Sequence, residues 1–247
     1  MQNSEIVNDI STENLTTIEM PVLALRGMVV FPGMLLHFDV GRKMSALAIE
    51  KAMKTDQHIF VVSQKDIDID NPKHDDLYEI GVIAEVKQIL RQPENVIRVV
   101  VEGKKRARLL QPGAKRQYLT GIISPLEETN EETIEQTALA RTLRESFDDF
   151  LAVVPKFPSD IVYKVNVCKN NGTLCDLIAG NIRMDYSAKQ EILEELNIEK
   201  RLNKQDCLLR LKSAGIELPM MYKLGYHNNN CIGCFLVFWR IIDKDVS

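Results

Sequence analysis

His227, Cys231 and Cys234 are the residues whose types and spacing come nearest to a metal site. A Cys-x2-Cys pair supplies two of the four ligands of a tetrahedral zinc site, and His227 with the distant Cys207 would have to supply the others. The sequence has no second Cys-x2-Cys pair and no His-x3-His pair, so the ligand set is incomplete. Redox Cys-x2-Cys pairs follow a strand in a βαβ unit, a context that is absent here. We therefore expect no metal site.

Carboxylates are concentrated between residues 126 and 150, where the sequence has eight acidic residues and only two arginines. Two carboxylates perform acid–base chemistry when their surroundings separate their pKa values. Helical spacing instead spreads these side chains over several faces and implies no cleft. We expect a solvated surface, and no catalytic residue, among the acids of this stretch: Glu127, Glu128, Glu131, Glu132, Glu135, Glu145, Asp148 and Asp149.

The best candidate for contacts with phosphate is a run of six cations: Lys104, Lys105, Arg106, Arg108, Lys115 and Arg116. No aromatic residue alternates with them before Tyr118, so no platform for base stacking is evident. The net charge of −4 also opposes a general attraction to nucleic acid. We favour a charged strand edge that discourages pairing with other chains. An RNA-binding barrel-like module stays open as an alternative.

The elements that would position these residues divide into a β-rich part and a helical part. Residues 1–16 are polar and are expected to be disordered, whereas 17–124 hold short apolar runs separated by turn signals. Helices do not alternate regularly with strands there, which favours an antiparallel, barrel-like sheet. Residues 125–212 show helical spacing, and 213–247 form an atypical tail without a regular period. The predicted fold class is α+β, a barrel-like β domain followed by an α-helical bundle.

Two local signals sharpen this prediction. Alternation predicts a hairpin of Ile80 to Leu90 with Val96 to Glu102, and Ala107 to Leu110 would add a separate strand. In the helical part, a capping box pairs a hydroxyl residue with an acid or amide three positions later. Two such boxes predict helix starts: Thr173 with Asp176, and Ser187 with Gln190.

A series of short motifs resembles the N-terminal region of the Lon family of ATP-dependent proteases. They occur in the family's order and spacing, and together they cover roughly residues 17–204. The matching segments are Leu25-Arg26, Val29-Val30-Phe31-Pro32 with Met34, Val40-Gly41-Arg42-Lys43, Gln64-Lys65-Asp66, Asp76-Leu77-Tyr78, Gly81-Val82-Ile83-Ala84, and Val99-Val100-Val101-Glu102-Gly103 with Arg106-Ala107-Arg108.

The resemblance implies a PUA-like barrel and a region that recognises unfolded or degron-bearing protein substrates. In the family this region belongs to a homohexamer, and ATP, Mg²⁺ and the catalytic Ser–Lys pair belong to later domains. The sequence has no G-x-x-x-x-G-K-[ST] loop, so we expect neither a cofactor site nor catalysis in this chain. Residues from Leu208 onward do not resemble the family. We expect a chain cut short before the ATPase, and a non-functional gene product is a further alternative.

The resemblance and the residue types together point to one candidate substrate-binding corner. A domain that binds unfolded segments needs exposed apolar side chains bordered by charges that orient the bound chain. The corner between a strand and the first helix offers both, and its residues are Phe31, Met34, Leu35, Arg42 and Lys43. The competing interpretation makes the apolar members core residues and the cations a solvated helix start.

The cysteine count and the apolar runs bear on location. Five cysteines, an odd number, argue against a disulfide framework and for a reducing compartment. The longest apolar run, Phe235 to Trp239, is far shorter than the roughly 20 residues that cross a bilayer. We expect a cytoplasmic protein with no membrane partner.

Overall fold

A computed structural model describes residues 17–91, 97–114, 116–128, 133–154 and 156–213 of the 247-residue chain. The predictions for residues 1–16, for Lys115, for the tail beyond 213 and for the set His227, Cys231 and Cys234 lie outside these residues. Within the described part, no helix combines the length and apolar character needed to cross a membrane.

Six strands form the first part of the fold: β1 Ile18–Leu25, β2 Leu35–Val40, β3 His58–Ser63, β4 Ile80–Arg91, β5 Ile97–Pro112 and β6 Thr120–Pro125. The sheet order is β2-β5-β4-β3-β1-β6, and β6 also pairs with β5. This additional pairing joins β5, β4, β3, β1 and β6 into a closed ring, with β2 attached to the first half of β5. The sheet is therefore a small barrel, as the sequence indicated.

The sheet is mixed and not wholly antiparallel, which corrects part of the sequence-based expectation. Strands β1 and β3 run parallel, with Val22 opposite Phe60 and Leu25 opposite Ser63. The chain between them forms β2 and helix α1, Lys43–Met53, so it returns in the original direction. The parallel pairing was missed because it depends on contacts between β1 and β3, which are separated in the sequence by β2 and α1.

Strand β5 is a single strand of 16 residues, where two separate strands were predicted. Its first half pairs with β2 and its second half with β6, while β4 follows nearly its whole length. Register shifts in the β4 pairing bend the hairpin. Gly103 allows this bend to touch the turn before β2, because a Cβ atom there would overlap with the backbone carbonyl of Phe31.

Alternate residues of the strands form two apolar clusters on opposite faces of the sheet, as a period of two requires. One cluster includes Leu23, Ile59 and Val99 and receives the apolar stripe of α1. The other includes Val22, Phe60 and Ile123. Since both faces are covered, β1 and β3 read as nearly continuous apolar runs.

Five further helices follow the barrel: α2 Ile134–Val153, α3 Ser159–Val167, α4 Asn171–Asn181, α5 Tyr186–Glu194 and α6 Ile198–Ser213. They pack around one cluster that includes Leu143, Phe147, Ile178 and Leu202. A separate cluster joins Phe31 and Val82 of the barrel to Ala179, Ile192 and other residues of the helices. The barrel and the helices therefore share apolar core.

Both predicted capping boxes are wrong. Helix α4 begins earlier, at Asn171, and the Asn170 side chain accepts from the Thr173 backbone N–H. Helix α5 begins at Tyr186 after Asp185. Asp176 and Gln190, the presumed box partners, lie in the helix interiors and are buried.

Candidate functional site

Two small cavities adjoin at the start of α1 and form the groove described below. Their volumes are about 240 and 290 Å³. They share Ala24, Arg42, Ser45 and Asp70, and extend in different directions from these residues. The first continues past Val22, Lys43, Met44, Asn71, Pro72 and Leu119, and the second past Leu23, Leu25, Arg26, Met28, Phe38, Asp39, Val40 and Gly41.

The size and lining of the groove suit an extended polypeptide. Each cavity lies below the roughly 300–1,000 Å³ of small-molecule pockets. Beside the buried residues of β1, the lining includes four partly buried apolar side chains: Met28, Phe38, Met44 and Leu119. A chain that crosses the shared residues could place side chains in both cavities.

One wall of the groove is the strap, which we define as residues 66–73 between β3 and β4. Two arginines tie it down. Arg42 donates from Nη1 to Gln64 Oε1 at 2.6 Å and from Nη2 to the Ile69 carbonyl at 3.3 Å. Arg26 donates to Asp70 Oδ1 at 2.5 Å and to the same Ile69 carbonyl at 3.4 Å. Both guanidinium groups thus converge on the strap.

The strap is also held from within the barrel and from the helices. The buried Gln64 donates to the carbonyls of Asp66 and Ile69 at 3.1 and 2.9 Å. From α5, the Tyr186 hydroxyl donates at 3.0 Å to the carbonyl of Lys65, the residue that precedes the strap. The position of the groove wall therefore depends on both parts of the fold.

Positive charge exceeds negative charge in the middle of the groove. Partial burial and the neighbouring Arg26 lower the pKa of Arg42, and Asp70 acts in the opposite sense. The hydrogen bond from Arg26 and then the charges of the two arginines lower the pKa of Asp70. Lys43 is exposed and forms no ion pair within the described residues. Asp70 therefore balances only part of the cationic charge.

Helix α1 adds to this positive field, because its first turn, Lys43 to Ser45, lines the groove. The helix has neither a side-chain cap at Arg42 nor an acidic residue in its first turn. The unneutralised N-terminal end of a helix carries a partial positive charge. The groove thus combines an apolar lining with three cationic side chains and a helix N-terminus.

The five predicted substrate-binding residues do not form one surface. Phe31 is fully buried between the barrel and the helices, where it packs in the shared apolar cluster. Its assignment to a surface site is therefore wrong. Met34 is half-buried against the same cluster, and Leu35 is 54% exposed at the start of β2. Arg42 and Lys43 follow the end of β2, about 20 Å further along the strand. Of the five predicted residues, only Arg42 and Lys43 line the groove.

Sequence reasoning missed Arg26, Gln64 and Asp70, which build the groove wall. Two signals were available, because Leu25-Arg26 and Gln64-Lys65-Asp66 are among the motifs that resemble the family. Their meeting with Arg42 depends on the crossover through α1, and spacing along the chain does not reveal it.

The basic run is divided among several carboxylates and does not form a continuous cationic surface within the described residues. Lys104 pairs with Glu102 and Glu85, at 2.6 and 3.1 Å, and Lys105 pairs with Glu127. Arg106 is buried. The predicted strand edge is also wrong, because β5 has neighbours on both sides.

Arg106 joins the barrel to the helices through a buried ionic cluster. Its two terminal nitrogens donate to both oxygens of Asp176 at 2.7 and 2.5 Å, and its Nε donates to the Leu193 carbonyl at 2.9 Å. Glu128 accepts from Arg106 at 2.7 Å and from Arg201 at 3.0 Å. The cluster therefore links β5, the segment before α2, and helices α4, α5 and α6.

Burial and ion pairing shift the pKa values of Arg106 and Asp176 in opposite directions. Burial opposes the charge of Arg106, but hydrogen bonds and the charges of Asp176 and Glu128 raise its pKa. For Asp176 burial has the larger effect and raises the pKa, against Arg106 and Arg201. We take Asp176 as ionised, because both its oxygens accept from Arg106.

The other acidic residues of the predicted solvated stretch lie mainly on the surface of α2. Glu135, Glu145, Asp148 and Asp149 are exposed on α2, as predicted. Glu128 is partly buried in the ionic cluster, so the prediction of a solvated side chain is wrong there, and Glu131 and Glu132 lie outside the described residues. Among the described residues, no group of three His, Cys, Asp or Glu side chains is arranged to hold a metal ion. We therefore take the groove as the candidate binding site of the described part of the chain.

Solved structures share this combination of barrel and helices. The N-terminal domain of a Mycobacterium avium complex Lon protease superposes with a TM-score of 0.64 at 20% identity, covering 80% of this chain and 98% of that one. A Lon N-terminal domain protein from Xanthomonas campestris gives 0.54 at 14% identity, covering 76% and 96%. The fold is that of a Lon N-terminal domain.

Sequence comparison gives the family. The model for the ATP-dependent protease La (LON) substrate-binding domain matches residues 19–209, and the chain belongs to this family. Lon protease 1 of Bacillus subtilis (strain 168) is 37% identical over 184 residues, 74% of this chain and 24% of the relative. A Syntrophomonas wolfei Lon protease is 38% identical over 206 residues, 83% and 25%. The chain spans about a quarter of the length of these curated relatives.

Proposed function

We propose that this chain recognises protein substrates for an ATP-dependent Lon-type protease that degrades misfolded and regulatory proteins. The observation that carries the proposal is the match of residues 19–209 to a substrate-binding domain family. The apolar groove with its cationic centre supports it, because exposed segments of unfolded proteins are largely apolar and extended. In this proposal the chain binds protein substrates and presents them to other domains. ATP hydrolysis with Mg²⁺ and peptide cleavage take place in those domains.

The binding site in this proposal is the groove, with Arg42 and Lys43 retained from the original corner. Leu35, and Met34 behind it, form a second apolar contact at the start of β2. Each contact is small, so each would bind weakly. Six copies in a homohexamer would raise the avidity, because a substrate released by one site is still held by another.

We place this activity in the cytoplasm, in protein quality control. The unpaired thiols of Cys168 and Cys175 support a reducing compartment.

Site-specific photo-crosslinking tests the proposed site. A photoreactive residue is placed at Ser45, which lines both cavities, and in a matched variant at Tyr163, which is exposed on α3. Each variant of the 247-residue chain is irradiated with an unfolded protein. We expect crosslinks from position 45 and few from position 163. Equal yields at both positions would contradict the assignment of the groove.

A further inference from the structure

The centre of the groove has an acidic occupant already. The carboxylate of Asp70 lies on Arg26 at 2.5 Å, between the two cavities, and is 84% exposed. It belongs to the strap and comes from outside the helix and strand that form the groove floor. A carboxylate from another chain could therefore meet the same cations from the solvent side.

The site has more cationic groups than Asp70 satisfies. Arg42 donates to the Ile69 carbonyl of the strap and to Gln64, and no carboxylate of the described residues binds its guanidinium. Lys43 is the first residue of α1, and no acidic residue in the first turn of the helix balances its charge. A carboxylate that enters here gains two cations and a helix end.

The arrangement of the two cavities selects where the carboxylate lies in the bound chain. The cavities extend from the shared residues Ala24, Arg42, Ser45 and Asp70 in two directions. A C-terminal carboxylate at Arg42 would fill one cavity and leave the other empty. An acidic side chain within a segment would allow apolar neighbours on both sides to enter both cavities.

We propose that the groove prefers extended segments in which an internal Asp or Glu is flanked by apolar residues, and that Asp70 is a built-in competitor for the same cations. This inference rests on the proposed function, since it specifies the substrate class of the same site. The acidic side chain binds Lys43 and Arg42 at the N-terminus of α1, and its neighbours occupy the apolar lining.

Three labelled peptides test the proposal by fluorescence anisotropy with the 247-residue chain. The first two have ten residues and differ only in a central Glu or Gln between apolar residues. The third ends at the central position with a free carboxylate. We expect the Glu peptide to bind about three- to fivefold more tightly than the Gln peptide, as for a partly exposed ion pair.

Variants assign the preference to the groove. Lys43→Gln should reduce the preference for Glu and leave only the part due to Arg42 and the helix N-terminus, whereas Lys54→Gln, at the other end of the same helix, should leave it unchanged. Asp70→Asn should increase the preference for the Glu peptide over the Gln peptide, because it removes the competing charge while Arg26 still donates to the Ile69 carbonyl of the strap. Circular dichroism confirms that each variant is folded.

The outcomes separate this inference from the proposed function. Equal binding of the Glu and Gln peptides would overturn the acidic preference and leave substrate binding intact. Tightest binding of the third peptide would overturn it in favour of recognition of chain ends. If none of the peptides binds, and an unfolded protein does not bind either, the proposed function fails as well.

Discussion

Replacement of Arg106 by methionine should lower the free energy of unfolding by about 3–5 kcal/mol. The guanidinium is almost fully buried, and it holds both oxygens of Asp176, which is 4% exposed. Methionine preserves much of the volume but leaves that carboxylate in an apolar setting with only Arg201 nearby, at 3.6 Å. It also removes the hydrogen bond to the Leu193 carbonyl. The loss is large because desolvation of an unpaired charge is not repaid.

Urea unfolding, followed by circular dichroism, measures this loss. Arg98→Met is the matched control, since Arg98 lies on the same strand and also binds a carboxylate, Asp39, with two nitrogens. That pair is about half exposed, so its removal should have little effect on the midpoint.

A double variant separates the lost pair from the stranded charge. Arg106→Met with Asp176→Leu should recover about 2 kcal/mol or more relative to Arg106→Met alone, because no uncompensated charge remains. Similar losses for Arg106→Met and Arg98→Met, or a double variant less stable than Arg106→Met, would refute the reasoning.

Three further predictions concern other parts of the fold. Burial raises the pKa of the Cys175 thiol, so iodoacetamide at pH 8 should modify Cys168 first and Cys175 only on unfolding, as read by peptide mass spectrometry; early modification of Cys175 would contradict its burial. Hydrogen bonds from two lysines lower the pKa values of Glu85 and Glu102, so their contribution to stability is present above about pH 4.3 and is lost as the pH falls through their folded pKa values. Urea midpoints measured from pH 6 to pH 3 should fall, and by less when both residues are glutamine. Gly103→Ala should cost about 1–3 kcal/mol in the same assay, because the added methyl group overlaps with a backbone carbonyl, and an unchanged midpoint would count against that close contact.

The sequence indicated most strands and the change to helices, because local alternation and helical spacing determine them. Strand β4, for example, was predicted as Ile80 to Leu90 and extends from Ile80 to Arg91. The closure of the barrel and the parallel pairing of β1 with β3 were not predictable, since both depend on contacts between distant segments. The length of β5 was missed because Gly103 and its basic neighbours resemble a loop.

The candidate site was only partly predictable for the same reason. Arg42 and Lys43 lie in a motif beside a helix start, so they could be identified directly. Asp70 lies in an acidic loop with several similar residues, and only the fold shows that it contacts Arg26. Phe31 was misassigned because nothing local distinguishes an apolar residue in a turn from one that covers a domain junction. Asp176 and Gln190 fitted a capping pattern, but Arg106 and the Ile80 carbonyl bind them instead.

The most direct test of the proposed function compares binding of one protein in two states. A small disulfide protein is labelled, used either native or reduced and carbamidomethylated, and titrated with the 247-residue chain while anisotropy is measured. We predict binding of the unfolded form only, weakened about fivefold or more by Ser45→Trp, which fills the groove, and unchanged by Tyr163→Trp on α3. Equal binding of both forms, or binding that is insensitive to Ser45→Trp, would contradict recognition of unfolded segments in this groove.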